Sequence, residues 1–133
     1  MESIIGAPID VAWKKWTTPE DIKKWNNASD DWFTPSAEND LRAGGKFLYK
    51  MEAKDGSSGF DFWGVYDKVK TNQLISYTIG DGRKVEVDFL TKGDETIIVE
   101  SFEAETTHTV ELQRAGWQSI LNNFKKYVES FKQ

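Results

Sequence analysis

Cysteine is missing from the chain, which removes a disulfide framework, a thiolate nucleophile and every cysteine metal site at once. Histidine is nearly missing too: His108 stands alone, so no two-histidine metal motif can be built. Flanked by Thr107 and Thr109 at a predicted helix start, it reads as an exposed end residue rather than a general base. A serine triad would need that histidine, and Ser76, Ser101 and Ser119 sit in no nucleophile-elbow pattern. Basic residues are the minority, 17 against 22 acidic for a net charge of -5, and they form no block, which argues against nucleic acid and anionic membrane as partners. No apolar run comes near the roughly 18 residues of a membrane span. The first residues lack the basic start and apolar core of a signal peptide, so a cytoplasmic protein is expected. The doublet Gly44-Gly45 lacks the spacing of a phosphate loop and reads as a strand turn. No metal and no cofactor is expected.

What the chain has in excess is aromatic area. Six Trp, eight Phe and four Tyr make 14% of the residues, more than filling a core of this size needs, and large rings can wall a cavity as well as fill one. The strongest periodic signal lies at the end, Thr107 to Phe131. There Trp117, Ile120, Leu121, Phe124, Val128 and Phe131 recur at helical spacing, one apolar stripe on a helix of about 24 residues or roughly 36 Å. Gly116 interrupts this helix at a cost of about 1 kcal/mol, and glycine is usually kept there where backbone approaches backbone or a ligand. The spacing is compatible with both.

Upstream, Met1 to Ile5 reads as a short strand. Pro8 and the spacing of Ile9, Trp13 and Trp16 predict a short helix, and Thr18-Pro19-Glu20-Asp21 predicts a second, with Thr18 as cap, ending near Trp25. Trp32, Phe33 and Pro35 follow in an ordered loop or edge strand whose two rings close one end of the core. Beyond the turn at Gly44-Gly45 the hairpins register by arithmetic. Asp55-Gly56 as a two-residue turn sets Phe47 opposite Gly64, Tyr49 opposite Phe62 and Met51 opposite Phe60. A three-residue loop Gly80-Asp81-Gly82 sets Tyr77 opposite Val85 and Ile75 opposite Val87. A turn around Lys92-Gly93-Asp94 is expected to place Phe89 opposite Ile97 and Val87 opposite Val99, turning Ile97 and Val99 inward. The carboxylates Asp61, Glu86, Asp88 and Glu100 alternate with these positions and are expected to face water. On the outer face Leu48 meets Trp63, with Val65 nearby, a small apolar patch.

The residues Ala7-Pro8 with Trp13, Thr18-Pro19-Glu20 with Trp25, the run Asp40 to Phe47, Asp55-Gly56, Gly64 and Gly116-Trp117 with Leu121 resemble the START-like helix-grip superfamily. More narrowly, the chain resembles the family named after the C-terminal domain of the activator of heat-shock protein 90 ATPase. The expected architecture is α+β. A curved antiparallel β-sheet wraps around the long C-terminal helix, two short helices follow the first strand, and residues 1–133 form a single domain. In this superfamily a pocket between sheet and helix commonly binds hydrophobic ligands, and some branches perform cyclisation or hydration. The leading expectation is binding of a small hydrophobic or aromatic molecule without catalysis. Its wall is expected to comprise Phe47, Tyr49, Phe62, Tyr66, Tyr77, Val87, Gly116, Trp117, Ile120 and Phe124. One alternative is a co-chaperone or homodimer contact through Leu48, Trp63 and Val65. The other is a cyclase or hydratase, which would need a buried carboxylate or histidine in the pocket.

Overall fold

The computed structural model describes residues 1–131. The elements in order are β1 (Glu2–Ile5), α1 (Ile9–Thr17), α2 (Pro19–Trp25), β2 (Trp32–Asn39), β3 (Lys46–Ala53), β4 (Gly59–Lys70), β5 (Leu74–Ile79), β6 (Lys84–Lys92), β7 (Glu95–Phe102) and α3 (Val110–Glu129). The strands form one antiparallel sheet in the order β1-β7-β6-β5-β4-β3-β2. The sheet curls around α3, so the expected helix-grip architecture is the observed one. Among the described residues no helix is long and apolar enough to cross a membrane.

Helix α3 is shorter than its stripe predicts. Thr109 caps it, the hydroxyl oxygen accepting the Leu112 N–H at 3.1 Å, so Thr107 and His108 precede the helix. Phe131 lies beyond its last turn, more than half exposed, with its ring edge-on to Tyr127 at 5.1 Å. Leu121, Phe124 and Val128 carry the buried part of the stripe. At the other end of the chain Thr18 makes no capping bond to α2, because its hydroxyl donates instead to the Lys14 carbonyl at 2.6 Å. The segment of Trp32 is edge strand β2, with a pairing irregularity between Phe33 and Ser36 where Pro35 sits. Only Trp32 turns toward the core, whereas Phe33 is exposed.

The β3–β4 register agrees residue by residue with the arithmetic: Phe47 faces Gly64, Tyr49 faces Phe62 and Met51 faces Phe60. So does β5–β6, with Tyr77 opposite Val85 and Ile75 opposite Val87. The β6–β7 register is corrected by one residue: Phe89 faces Ile98 and Val87 faces Glu100. The cause is the turn. Gly93, at φ +61°, and Asp94 form a two-residue connection with Lys92 opposite Glu95, the geometry whose twist matches the flanking strands. A one-residue slip exchanges the faces of a whole strand. Thr96, Ile98 and Glu100 are therefore buried, while Ile97 and Val99 are only half-buried on the other face. Thr96 is satisfied by donating its hydroxyl to the Ala7 carbonyl at 2.8 Å. The expectation that Glu100 faces water is overturned.

The C-terminal half of α3 is closely packed. Phe124 meets Trp16 at 4.8 Å and Trp25 at 5.0 Å between ring centroids, both edge-on, and Trp13 meets Phe89 at 5.1 Å. Polar ties fix the same half: Tyr127 donates to Asp21 at 2.6 Å, and Asn123 donates to the Trp25 carbonyl at 2.9 Å. On the outer face Leu48 opposes Trp63 as expected. The indole lies against Gly80, where an added Cβ would come within 2.6 Å of it, and the Lys46 ammonium sits 4.6 Å from the ring centroid. This outward tryptophan therefore rests on a backbone surface with a cation beside the ring, while Trp63 and Val65 both keep more than a third of their surface exposed.

Candidate functional site

The N-terminal half of α3 does not pack down on the sheet. Between them lies a cavity of about 540 Å³. On the sheet side Phe47 and Tyr49 of β3, Phe62 and Tyr66 of β4, Ile75 and Tyr77 of β5 and Glu100 of β7 line it. The helix contributes Leu112, Gln113, Gly116, Trp117 and Ile120, and α1 and α2 contribute Trp16 and Trp25. Exposed or half-exposed residues of the lining, among them Ser29, Phe60, Arg83 and His108, form the mouth.

Two glycines shape this space. Gly64 lets the Phe47 ring lie against β4, since a Cβ there would stand 2.7 Å from the ring. At Gly116 the opposite holds: an added Cβ meets nothing within 4 Å, so close packing against the sheet is not what this glycine provides. Trp117 beside it spans the opening, stacked on Phe102 at 5.1 Å and edge-on to Phe62 at 6.1 Å.

Four polar groups stand among the rings. Tyr66 donates its hydroxyl to Asn39, whose own amide donates to the Thr17 carbonyl at 2.7 Å. Burial pushes the Tyr66 phenol up to about 12. Tyr49 is raised by burial and by its neighbours Tyr66 and Tyr77, and Tyr77 by burial and then by the nearby Glu100. Glu100 is 4% exposed, and burial drives its carboxyl up to about 8 against the smaller opposing effect of the Met1 amino group. At neutral pH these groups are thus uncharged and able to donate. His108 stands at the mouth, well exposed, with Nδ1 3.2 Å from Glu105 Oε1.

Of the residues expected to form the wall, Phe47, Tyr49, Phe62, Tyr66, Tyr77, Gly116, Trp117 and Ile120 come together around the cavity. Val87 and Phe124 do not: both are fully buried in the packed half, behind the wall. Sequence reasoning missed Glu100, and the pair Gly93-Asp94 read as a two-residue turn was the signal that places it inside.

A model of the family described as Activator of Hsp90 ATPase homolog 1-like protein matches residues 6–129. The solution structure of an AHSA1-like protein from Aeromonas hydrophila is 44% identical, with a TM-score of 0.90 over 98% of this chain and 93% of that one. A solution structure from Cytophaga hutchinsonii is 57% identical, with a TM-score of 0.85 over 98% and 90%. A crystal structure from Nitrosomonas europaea, 18% identical over 99% and 94% with a TM-score of 0.84, shows the shared fold alone. No curated protein matches the sequence significantly. With the match running over all but the ends of the chain, and with the helix-grip fold in place, the chain belongs to the Activator of Hsp90 ATPase homolog 1-like family.

Proposed function

We propose that the chain binds a small, largely apolar molecule, aromatic for preference, between the sheet and α3, and releases it unchanged. One observation carries the reading: about 540 Å³ of space bounded mostly by rings and opening where Gly116 withholds a side chain. Ligand pockets commonly measure about 300–1,000 Å³ with few polar groups, and this one falls in that range. A thermal-shift series of apolar and aromatic compounds tests it, with Trp117 fluorescence as second readout. A ligand at about 100 times its dissociation constant should stabilise the protein by about 2.7 kcal/mol. Gly116→Leu should abolish that shift by filling the space. The unliganded variant should melt no lower than wild type, because its Cβ meets nothing within 4 Å and a helix interior gains about 1 kcal/mol on losing glycine. A variant that still responds to ligand, or a series without one hit, sinks the reading.

Glu100 is the buried carboxyl that a cyclase or hydratase would need, so this second reading has an observation in its favour. Recovery of the bound compound separates the two. Unchanged NMR spectra after prolonged incubation support binding, and a new product supports turnover. A chaperone or homodimer contact through Leu48, Trp63 and Val65 ranks behind, since Lys46 and Gly80 already flank the indole. Size-exclusion with light scattering should give a monomer; a dimer dispersed by Trp63→Lys would promote the outer face. The location we propose for a binder of this kind is the cytoplasm.

A further inference from the structure

The cavity's polar groups are not equivalent. Tyr66 spends its hydroxyl on Asn39, and Tyr49 leans on Tyr66. Among the described residues no side chain offers a hydrogen-bond partner to the Tyr77 hydroxyl or the Glu100 carboxyl, and neither group is sealed from the cavity both line. They stand on the strands either side of β6, and the Glu100 charge helps raise the Tyr77 phenol. They come from diagonal positions of the concave face: Val85 opposes both Tyr77 and Phe102, while Val87, two residues along β6, opposes Glu100. Building on the ligand-binding reading above, we propose that the Tyr77 hydroxyl and the Glu100 carboxyl together receive one oxygen acceptor of the ligand, so that the molecule held is an aromatic or alicyclic body carrying a carbonyl or phenolic oxygen.

The chemistry favours that class over its neighbours. A carbonyl oxygen has two lone pairs, and both O–H donors open onto the one cavity, so a single ligand oxygen placed between them accepts from each. A plain hydrocarbon would leave both donors buried and unpaired, which is unfavourable. An amine would require Glu100 to lose its proton inside an apolar cavity and would enter past Arg83 and His108. The remaining titratable groups around Glu100 are Tyr77, Tyr66, Tyr49 and the Met1 amino group, which donates to the Glu100 carbonyl at 2.9 Å. None of the tyrosines supplies a negative charge at neutral pH to hold a cation.

Indane, 1-indanone and 1-aminoindane share one bicyclic body and differ only at the reporting atom. Titrated calorimetrically into the full chain near neutral pH, 1-indanone should bind about tenfold tighter than indane, the scale of one net hydrogen bond, with 1-aminoindane weaker than 1-indanone. Tyr77→Phe should bring 1-indanone to within about threefold of indane, weakening the ketone while sparing the hydrocarbon one unpaired donor, an opposite movement that a merely structural role would not produce. Wild-type affinity for 1-indanone should fall as pH rises through about 8, since the donor leaves with the proton. Glu100→Gln, which keeps shape and a donor but cannot ionise, should keep the preference and lose the pH dependence. It carries the test if Tyr77→Phe does not fold. Indane and 1-indanone binding equally would overturn this proposal and leave the ligand-binding reading standing, as would 1-aminoindane binding tightest. If none of the three binds, this proposal falls, and the thermal-shift series decides separately whether the ligand-binding reading falls with it.

Discussion

Val87→Asp is expected to yield no folded protein at ordinary temperature. Val87 has no exposed surface, and it sits at the centre of an inward row with Ile75 on one side and Glu100 on the other. Aspartate there would bury an unpaired carboxyl directly across the ladder from one already deprived of water. An uncompensated buried charge costs about 3–5 kcal/mol, comparable with the whole net stability of about 5–15 kcal/mol, and loss of the valine packing adds to it. Val99→Thr is the counterpart. The β6–β7 register turns Val99 outward opposite Asp88, where an isosteric hydroxyl meets water and the change should stay within about 1 kcal/mol. Circular dichroism melts of both variants check the register as well as the core. A folded Val87→Asp would deny Val87 its place in the core, and a Val99→Thr that loses several kcal/mol would put β7 back in the slipped register.

That register marks where the sequence stops being legible. Between β3 and β4 one face is aromatic and the charges all fall on the other, and Asp55-Gly56 admits one turn, so alternation and turn chemistry agree. In β7 the run Thr96-Ile97-Ile98-Val99 is apolar at both parities, so alternation cannot tell inside from outside, and only the turn length decides. Placing three residues at that turn instead of two hid Glu100 on the solvent side. The wall of the cavity was legible for a different reason: parity identifies which side chains turn inward, and Phe47, Tyr49, Tyr66 and Tyr77 follow from it. Parity says nothing of how far along the cleft a side chain lies. Val87 and Phe124 share the correct face but belong to the half that α1 and α2 fill with Trp13, Trp16 and Trp25. The helix boundaries missed by two or three residues because an apolar stripe does not see the Thr109 cap.

The second large effect is a pH dependence located at one residue. In the native protein the Glu100 carboxyl holds its proton up to about 8, while in the unfolded chain it releases it above the ordinary value of 4.5. Between these limits Glu100 holds a proton in the native state that it has lost in the unfolded one, so its contribution to stability falls as pH rises across the window and levels off above it. The separation, 8 minus 4.5, corresponds to a loss approaching 5 kcal/mol at about 1.36 kcal/mol per unit. Glu100→Gln cannot ionise in either state. It should match wild type in acid and become the more stable protein as pH climbs, by several kcal/mol at the alkaline end. The lowered carboxyls of Asp55, Asp81 and Glu105 work in the opposite sense, but they are present in both proteins and cancel in the difference. Urea midpoints of the two proteins, measured at intervals from mildly acid to mildly alkaline pH, give that difference directly. A gap that stays constant with pH would mean that Glu100 ionises as freely in the folded protein as in the unfolded chain, and would deny the cavity its neutral acid. A gap that opens, and that a bound acceptor ligand shifts to higher pH by holding the proton in place, would tie the stability of the fold to the occupancy of its cavity through a single side chain.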